Sequence, residues 1–165
     1  MAVNINITSN NTILIDDSAP THTGSTAEVI MKTIEIPPLS VGDYFEANFM
    51  VKKETIVDLM TNRVRVGSAP TIAGSTLIDN YSTSGRLHKH TSMWFVKSDT
   101  QIMSLFNSGG ANVSPYPHGS NNFIESDLLG SMDRTITNYI MFTSKLADAS
   151  ELVTNHFSMV EIKRK

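Results

Sequence analysis

The chain has 165 residues, a mass of 18.1 kDa and a formal net charge of −3. This length predicts a single domain over residues 1–165. Charged residues make up only 18% of the chain and acidic residues outnumber basic ones, which excludes the basic surface of a typical nucleic-acid-binding protein. The chain has no cysteine, so disulfides, thiolate nucleophiles and cysteine-ligated metals are excluded as well.

The first part of the chain, residues 1–26, is predicted to form N-terminal strands or an arm. Residues 1–15 alternate between polar and apolar side chains and lack the basic start and apolar block of a signal peptide. The longest apolar run, Met93 to Val96, is far shorter than the roughly 20 residues of a membrane-spanning helix. We therefore expect a protein that is made in a cytoplasm and has no membrane segment.

Polar and apolar residues alternate with a period of two along most of the chain, which is typical of half-buried strands. The clearest stretch is Tyr44 to Lys53, where Phe45 and Phe49 share one face and Glu46 lies on the other. Turn-forming residues separate the successive stretches. About ten strands are predicted, over residues 3–7, 12–15, 27–36, 44–53, 62–67, 76–81, 87–97, 101–106, 135–146 and 153–163.

The regular spacing of these strands predicts an all-β protein, an antiparallel two-sheet β-sandwich that is jelly-roll-like. Helix is expected only as short pieces, over 54–60 or 126–132. Residues 107–122 show no periodicity and are predicted to form a long surface loop, a kind of loop that is usually functional or disordered. The residues predicted to be buried in the core are Phe45, Phe49, Val64, Val66, Trp94, Ile140 and Phe142.

The last predicted strand, residues 153–163, breaks its own alternation. Val153, Asn155, Phe157 and Met159 are expected to share one face, and Val160 and Ile162 then take the other. One interpretation is a β-bulge that shifts the face by one residue. The other is that the end of the strand is buried on both faces, one of them against a neighbouring chain.

Few residues suggest chemistry. His88 and His90 lie on the same side of a strand and could ligate a metal, but no third ligand is evident, so a solvated pair without metal is expected. Asp16, Asp17 and Asp99 occur where turns are predicted and are interpreted as turn formers. The nucleophile elbow, the P-loop and the dinucleotide-binding motif are all absent. We expect no catalytic activity and no cofactor.

The aromatic residues and the basic end of the chain remain as candidate contacts. Trp94 is interpreted as a core residue rather than a platform for a sugar. Tyr116 and His118, in the loop 107–122, are the candidate glycan contacts, although Tyr116 could equally anchor that loop. The terminal basic residues 163–165 are interpreted as a solvated end, because three charges bind nucleic acid only weakly at physiological salt.

Residues 23–43 read TGSTAEVIMKTIEIPPLSVGD. They resemble a segment common in bacteriophage virion proteins, in which a Thr-Gly opening leads into a strand, an Ile-Pro and then a Val-Gly-Asp that begins the next strand. Residues 63–67 and 76–78 are similar to a hairpin of the same proteins, and Trp94 lies where their following strand often carries an aromatic residue. The resemblance spans residues 20–163 and implies a jelly-roll-like domain of a fibre head, capsid decoration or tail appendage.

The function that the resemblance implies is structural. It suggests a virion protein synthesised in the host cytoplasm, an accessory capsid decoration or head-fibre component, that packs as a homotrimer against the major capsid or fibre protein. Met159, Val160 and Ile162 are the candidate subunit contacts, and neither nucleic acid nor a membrane is expected as a partner. The alternative is a receptor- or carbohydrate-binding module of a tail fibre, with Tyr116 and His118 against a host-surface glycan.

Overall fold

A computed structural model describes residues 3–6, 11–54, 58–104 and 129–165, and within these residues there is no helix. This confirms the all-β prediction. The described strands are β1 (Val3–Asn6), β2 (Asn11–Asp16), β3 (Thr21–His22), β4 (Val29–Ile36), β5 (Tyr44–Lys53), β6 (Met60–Gly67), β7 (Thr76–Thr83), β8 (Leu87–Val96), β9 (Gln101–Ser104), β10 (Leu129–Ser131), β11 (Asn138–Leu146) and β12 (Val153–Lys163).

The strands form two antiparallel sheets. The eight-stranded sheet has the order β1-β2-β12-β5-β8-β9-β10, with β3 also paired to β12, and the four-stranded sheet has the order β4-β11-β6-β7. Strands β2-β12-β5-β8 lie in one sheet and β4-β11-β6-β7 in the other, so the chain changes sheets in the order of a jelly roll. The predicted jelly-roll-like sandwich is therefore confirmed.

The predicted strand positions agree with the structure in most places. The bounds of β5 and β12 are as predicted, whereas β11 begins at Asn138 because Asp133 and Thr135 form a hydrogen-bonded turn before it. Strands β3 and β10 were not predicted, since two or three residues carry no visible alternation. A helix over 126–132 is wrong in its described part, which contains β10, and residues 55–57 of the other short helix lie outside the described residues.

The core lies between the two sheets. All seven residues predicted to be buried are at most 2% exposed, which confirms the register of their strands: Phe45, Phe49, Val64, Val66, Trp94, Ile140 and Phe142. Ile136, which lies four residues before the buried Ile140, is by contrast 40% exposed. It precedes β11 and so is not held in the alternation of that strand.

Strand β12 contains a bulge, which favours the first interpretation of its sequence. The pairing with β5 shifts between Asn155 and Phe157, so that His156 is the extra residue. Val153 and Asn155 are buried before the bulge, and Ser158, Val160 and Ile162 are buried after it. The prediction that Phe157 and Met159 share a face with Val153 is therefore wrong, because the bulge turns these two side chains to the outer face of the sheet.

The turn before β5 holds the C-terminus. Gly42 adopts φ 99°, in the region that favours glycine, and Asp43 follows it with 1% of its surface exposed. The Asp43 carboxylate accepts hydrogen bonds from Ser40 N at 2.8 Å, Arg164 Nη1 at 2.8 Å and Lys165 N at 3.1 Å. Burial alone would raise the pKa of Asp43, but these hydrogen bonds outweigh it and lower the pKa. The interpretation of the basic end as merely solvated is wrong for Arg164.

Candidate functional site

The outer face of the eight-stranded sheet is unusually apolar. Cross-strand pairing places Ile15 beside Met159 and Tyr44 beside Phe95 on this face. Its half-buried apolar side chains come from five neighbouring strands: Ile13, Ile15, Tyr44, Met50, Met93, Phe95, Met103, Phe157 and Met159. An antiparallel sheet that meets water normally carries polar side chains on its outer face. We call this surface the apolar face.

The polar groups of the apolar face bond to one another. Asn48, which is 4% exposed, donates from Nδ2 to Glu46 Oε1 at 2.7 Å and accepts from Thr91 Oγ1 at 2.6 Å. Glu161 lies directly opposite Glu46 on the neighbouring strand, and its Oε2 is 3.6 Å from Lys163 Nζ. Another layer could therefore cover this face while these side chains keep hydrogen-bond or ionic partners.

The outer face of the four-stranded sheet is polar by contrast. Glu28 accepts hydrogen bonds from Arg63 Nη1, from Arg65 Nε at 2.7 Å and Nη2 at 3.1 Å, and from Thr143 Oγ1 at 2.5 Å. Arg63 Nε also donates to Asn80 Oδ1 at 3.0 Å. Burial would raise the pKa of Glu28, but the hydrogen bonds from Arg65, Thr143 and Arg63 prevail and lower it to about 2. The carboxylate is thus ionised and fully engaged.

A surface depression lies beside this network, where β6 begins and β11 ends. Its volume is about 460 Å³. Lys145 pairs in register with Thr61, and Thr143 pairs with Arg63, so the two cationic residues of the depression come from adjacent strands. The residues that line it are Thr26, Leu59, Thr61, Arg63, Lys145, Leu146 and Ala147.

The two histidines of β8 face the interior, so the prediction of a solvated pair is wrong. His88 is 8% exposed and His90 is 1% exposed. His90 Nε2 lies 2.6 Å from Asp79 Oδ2 across the two sheets. Asp79 reaches the interior because a bulge at Ile78 shifts the alternation of β7. The ring of His88 stacks on Tyr81 with 4.0 Å between centroids and 3° between planes.

This buried cluster is short of hydrogen-bond partners. His88 Nε2, His90 Nδ1 and Asp79 Oδ1 are buried without one. Burial, with the nearby charge of His90, lowers the pKa of His88 to about 4, so His88 is neutral at physiological pH. Within the described ranges, no three His, Asp or Glu side chains come together in a way that could hold a metal ion. The arrangement packs the sandwich and has no evident catalytic geometry.

The candidate glycan contacts cannot be placed. Tyr116 and His118, with the whole loop 107–122, lie outside the described residues, so that prediction stays a prediction. Trp94 is buried in the core with 1% of its surface exposed, and its Nε1 donates to Ser92 Oγ at 2.6 Å. The interpretation of Trp94 as a core residue is therefore confirmed.

The candidate subunit contacts divide between the two sides of β12. Val160 and Ile162 are fully buried in the core of the chain itself. They offer no surface to another subunit, so the prediction is wrong for these two residues, and we expect Ile162→Asp to unfold the domain rather than dissociate an assembly. Met159 lies on the apolar face and remains a candidate.

Comparisons with known proteins add little to this description. No family model matches the chain, and no curated protein matches it either. A solved structure from Bacteroides thetaiotaomicron, described as a "putative sugar binding protein", is similar with a TM-score of 0.42 and 13% identity, over 99% of this chain and 86% of that one. In the described part of the chain, no helix has the length and apolar character needed to cross a membrane.

Proposed function

We propose that this protein is a self-assembling structural protein of a bacteriophage virion, an accessory capsid decoration or head-fibre component that forms a homotrimer. The apolar face carries this proposal. Soluble monomers rarely expose a contiguous apolar patch of more than a few hundred Å², and larger patches mark interaction surfaces. The inner face of the same sheet is already covered by the four-stranded sheet, whereas none of the described strands lies over the outer face.

The size of the apolar face is suited to a subunit contact. Five neighbouring strands at about 4.8 Å spacing, over about 20 Å of strand length, give a projected area of about 500 Å². This area includes a band of polar side chains, Glu46, Asn48, Thr91 and Glu161, between the apolar ones. A standard interface buries about 800 Å² on each partner.

The charges of the apolar face favour a further copy of this chain as the partner. Glu46 and Glu161 are balanced by Lys163 and Lys89 on the same face. A nearly neutral surface does not need an oppositely charged partner, and its apolar side chains match those of an identical surface. Three copies that turn these faces towards a common three-fold axis would bury all of them in one central core.

Two further observations support a place in a virion. Residues 20–163 resemble bacteriophage virion proteins, and the strand order is that of the jelly roll, an architecture found in viral capsid and lectin domains. An assembly formed through the apolar face would leave the polar four-stranded sheets on the outside. Genes for capsid proteins beside this gene would support the proposal, and their absence would count against the virion assignment.

The experiment compares the two outer faces. Met159→Glu adds a charge beside Ile15 on the apolar face. The matched control Leu77→Glu adds the same charge on the outer face of the four-stranded sheet, at a residue that is 42% exposed. Light scattering should show that Met159→Glu lowers the mass of the assembly to that of the monomer, whereas Leu77→Glu leaves it unchanged. A folded Met159→Glu variant with the wild-type mass would reject the apolar face as the contact.

A further inference from the structure

The depression on the four-stranded sheet is the second feature of the molecule that the core does not explain. The net charge of the chain is −3. The depression, however, is lined by two cationic side chains, Arg63 and Lys145, and its described lining contains no carboxylate. Glu28, beside it, is bonded to Arg63 and Arg65, and Asp58 and Asp148 are the chain neighbours of Leu59 and Ala147. An acidic protein with a locally basic concave surface will concentrate anions there.

Arg63 is held in place before any ligand arrives. Its Nε is bonded to Asn80 and its Nη1 to Glu28, which leaves Nη2 without a hydrogen bond to any described residue. The Glu28 carboxylate is itself fixed by Arg65 and Thr143, so Arg63 does not depend on a flexible partner. A fixed guanidinium binds a planar carboxylate with a smaller loss of side-chain entropy than a mobile one.

The remaining lining suits a polyhydroxylated ligand. Thr26 and Thr61 supply hydroxyl groups, of which that of Thr61 also shares a hydrogen bond with Ser82 Oγ at 2.9 Å. Lys145 is exposed and makes no ion pair with the described residues. Leu59 is 57% exposed and, with Ala147, provides an apolar wall on which the C–H surface of a sugar ring can rest. The volume of about 460 Å³ lies within the roughly 300–1,000 Å³ range of small-molecule sites.

We propose that this depression binds a carboxylate-bearing sugar, with Arg63 and Lys145 on the carboxylate and Thr26 and Thr61 near the hydroxyl groups. The site is distinct from the apolar face, and it lies on the sheet that an assembly formed through the apolar face leaves exposed. It can therefore be present in the monomer and in the assembly alike. The described residues that line it do not belong to the loop 107–122.

The test is an NMR titration of the full chain with glucuronate, followed at the methyl groups of Leu59 and Ala147, with glucose and sulfate as separate probes. We expect saturable shifts with glucuronate and much weaker effects from the other two. Glucose binding as tightly as glucuronate would overturn the role of the carboxylate. Sulfate binding as tightly would reduce the depression to a general anion site and overturn the proposal for a sugar.

Variants locate the binding. Lys145→Gln removes an exposed charge that supports no other contact, and it should weaken glucuronate binding roughly fivefold, the effect of about 1 kcal/mol from one exposed ion pair. Lys97→Gln makes the same change at an exposed residue elsewhere and should bind like the wild type. Equal affinities for Lys145→Gln and Lys97→Gln would overturn the site. Neither result depends on whether the protein forms trimers, since both can be measured at any mass.

Discussion

His88, one of the two buried histidines of β8, makes the stability of this protein depend on pH. Burial lowers the pKa of His88 from 6.5 to about 4 in the folded chain. Between these two values the unfolded chain binds a proton that the folded chain does not, so stability is complete above about pH 6.5 and declines as the pH falls towards 4. The gap corresponds to at most about 3 kcal/mol, of which about 2 kcal/mol is lost by pH 5.

His88→Phe removes this titration and keeps a flat ring against Tyr81, which His88 stacks on in the wild type. The measurement is urea unfolding at pH 8 and at pH 5, at one protomer concentration. The wild type should lose about 2 kcal/mol more than His88→Phe between the two pH values. His156→Phe, at the exposed bulge of β12, is the matched control and should behave like the wild type. An equal loss of unfolding free energy between pH 8 and pH 5 in His88→Phe and the wild type would refute the assignment of this pH dependence to His88.

Three other substitutions follow from the packing. Phe49→Ala should reduce the free energy of unfolding by about 3–5 kcal/mol in urea, and a loss under about 1 kcal/mol would mean that Phe49 is not in the core. Arg164→Ala leaves the buried Asp43 without its guanidinium and should cost about 1–2 kcal/mol, whereas Lys97→Ala should change stability by less than about 0.5 kcal/mol in the same assay. The wild type should lose stability as the pH falls from 4.5 towards 2, because the lowered pKa of Glu28 sets this window, and Glu28→Gln should lose less over the same range. Unfolding by acid, followed by circular dichroism, tests this, and the same acid profile in both proteins would contradict the stabilising role of the Glu28 carboxylate.

The sandwich could be predicted from the sequence because its inner strands alternate clearly. In β5 and β6 every second residue is buried over most of the strand, and this period of two sets both the strand and its buried face. The bulge of β12 also left a signal, the break in alternation, although its position at His156 could not be read from the sequence alone. A bulge is set by the pairing of two strands that are distant in the sequence.

The two histidines show where the reasoning from sequence fell short. His88 and His90 have the same parity as Trp94 along β8, so placing Trp94 in the core also places both histidines on the inner face. This parity, and not the polar character of the two side chains, decides which face of β8 they occupy. Asp79, which pairs with His90, could not be found in the same way, because the bulge at Ile78 reverses the alternation of β7.

The apolar face had a signal of its own. The run Met93 to Val96 and the triplet Ile13 to Ile15 are apolar at consecutive positions, a pattern typical of strands covered on both faces. The end of β12 shows a similar pattern, but there the bulge accounts for Val160 and Ile162. Which strands stand side by side, and so whether separate apolar residues form one surface, depends on the order of the sheet.

The mass of the wild-type chain in solution tests the central proposal most directly. Light scattering at micromolar protomer concentration should give three times the 18.1 kDa of one chain, since the apolar face is then buried between copies. A mass of 18.1 kDa across the same concentrations would contradict self-assembly through that face.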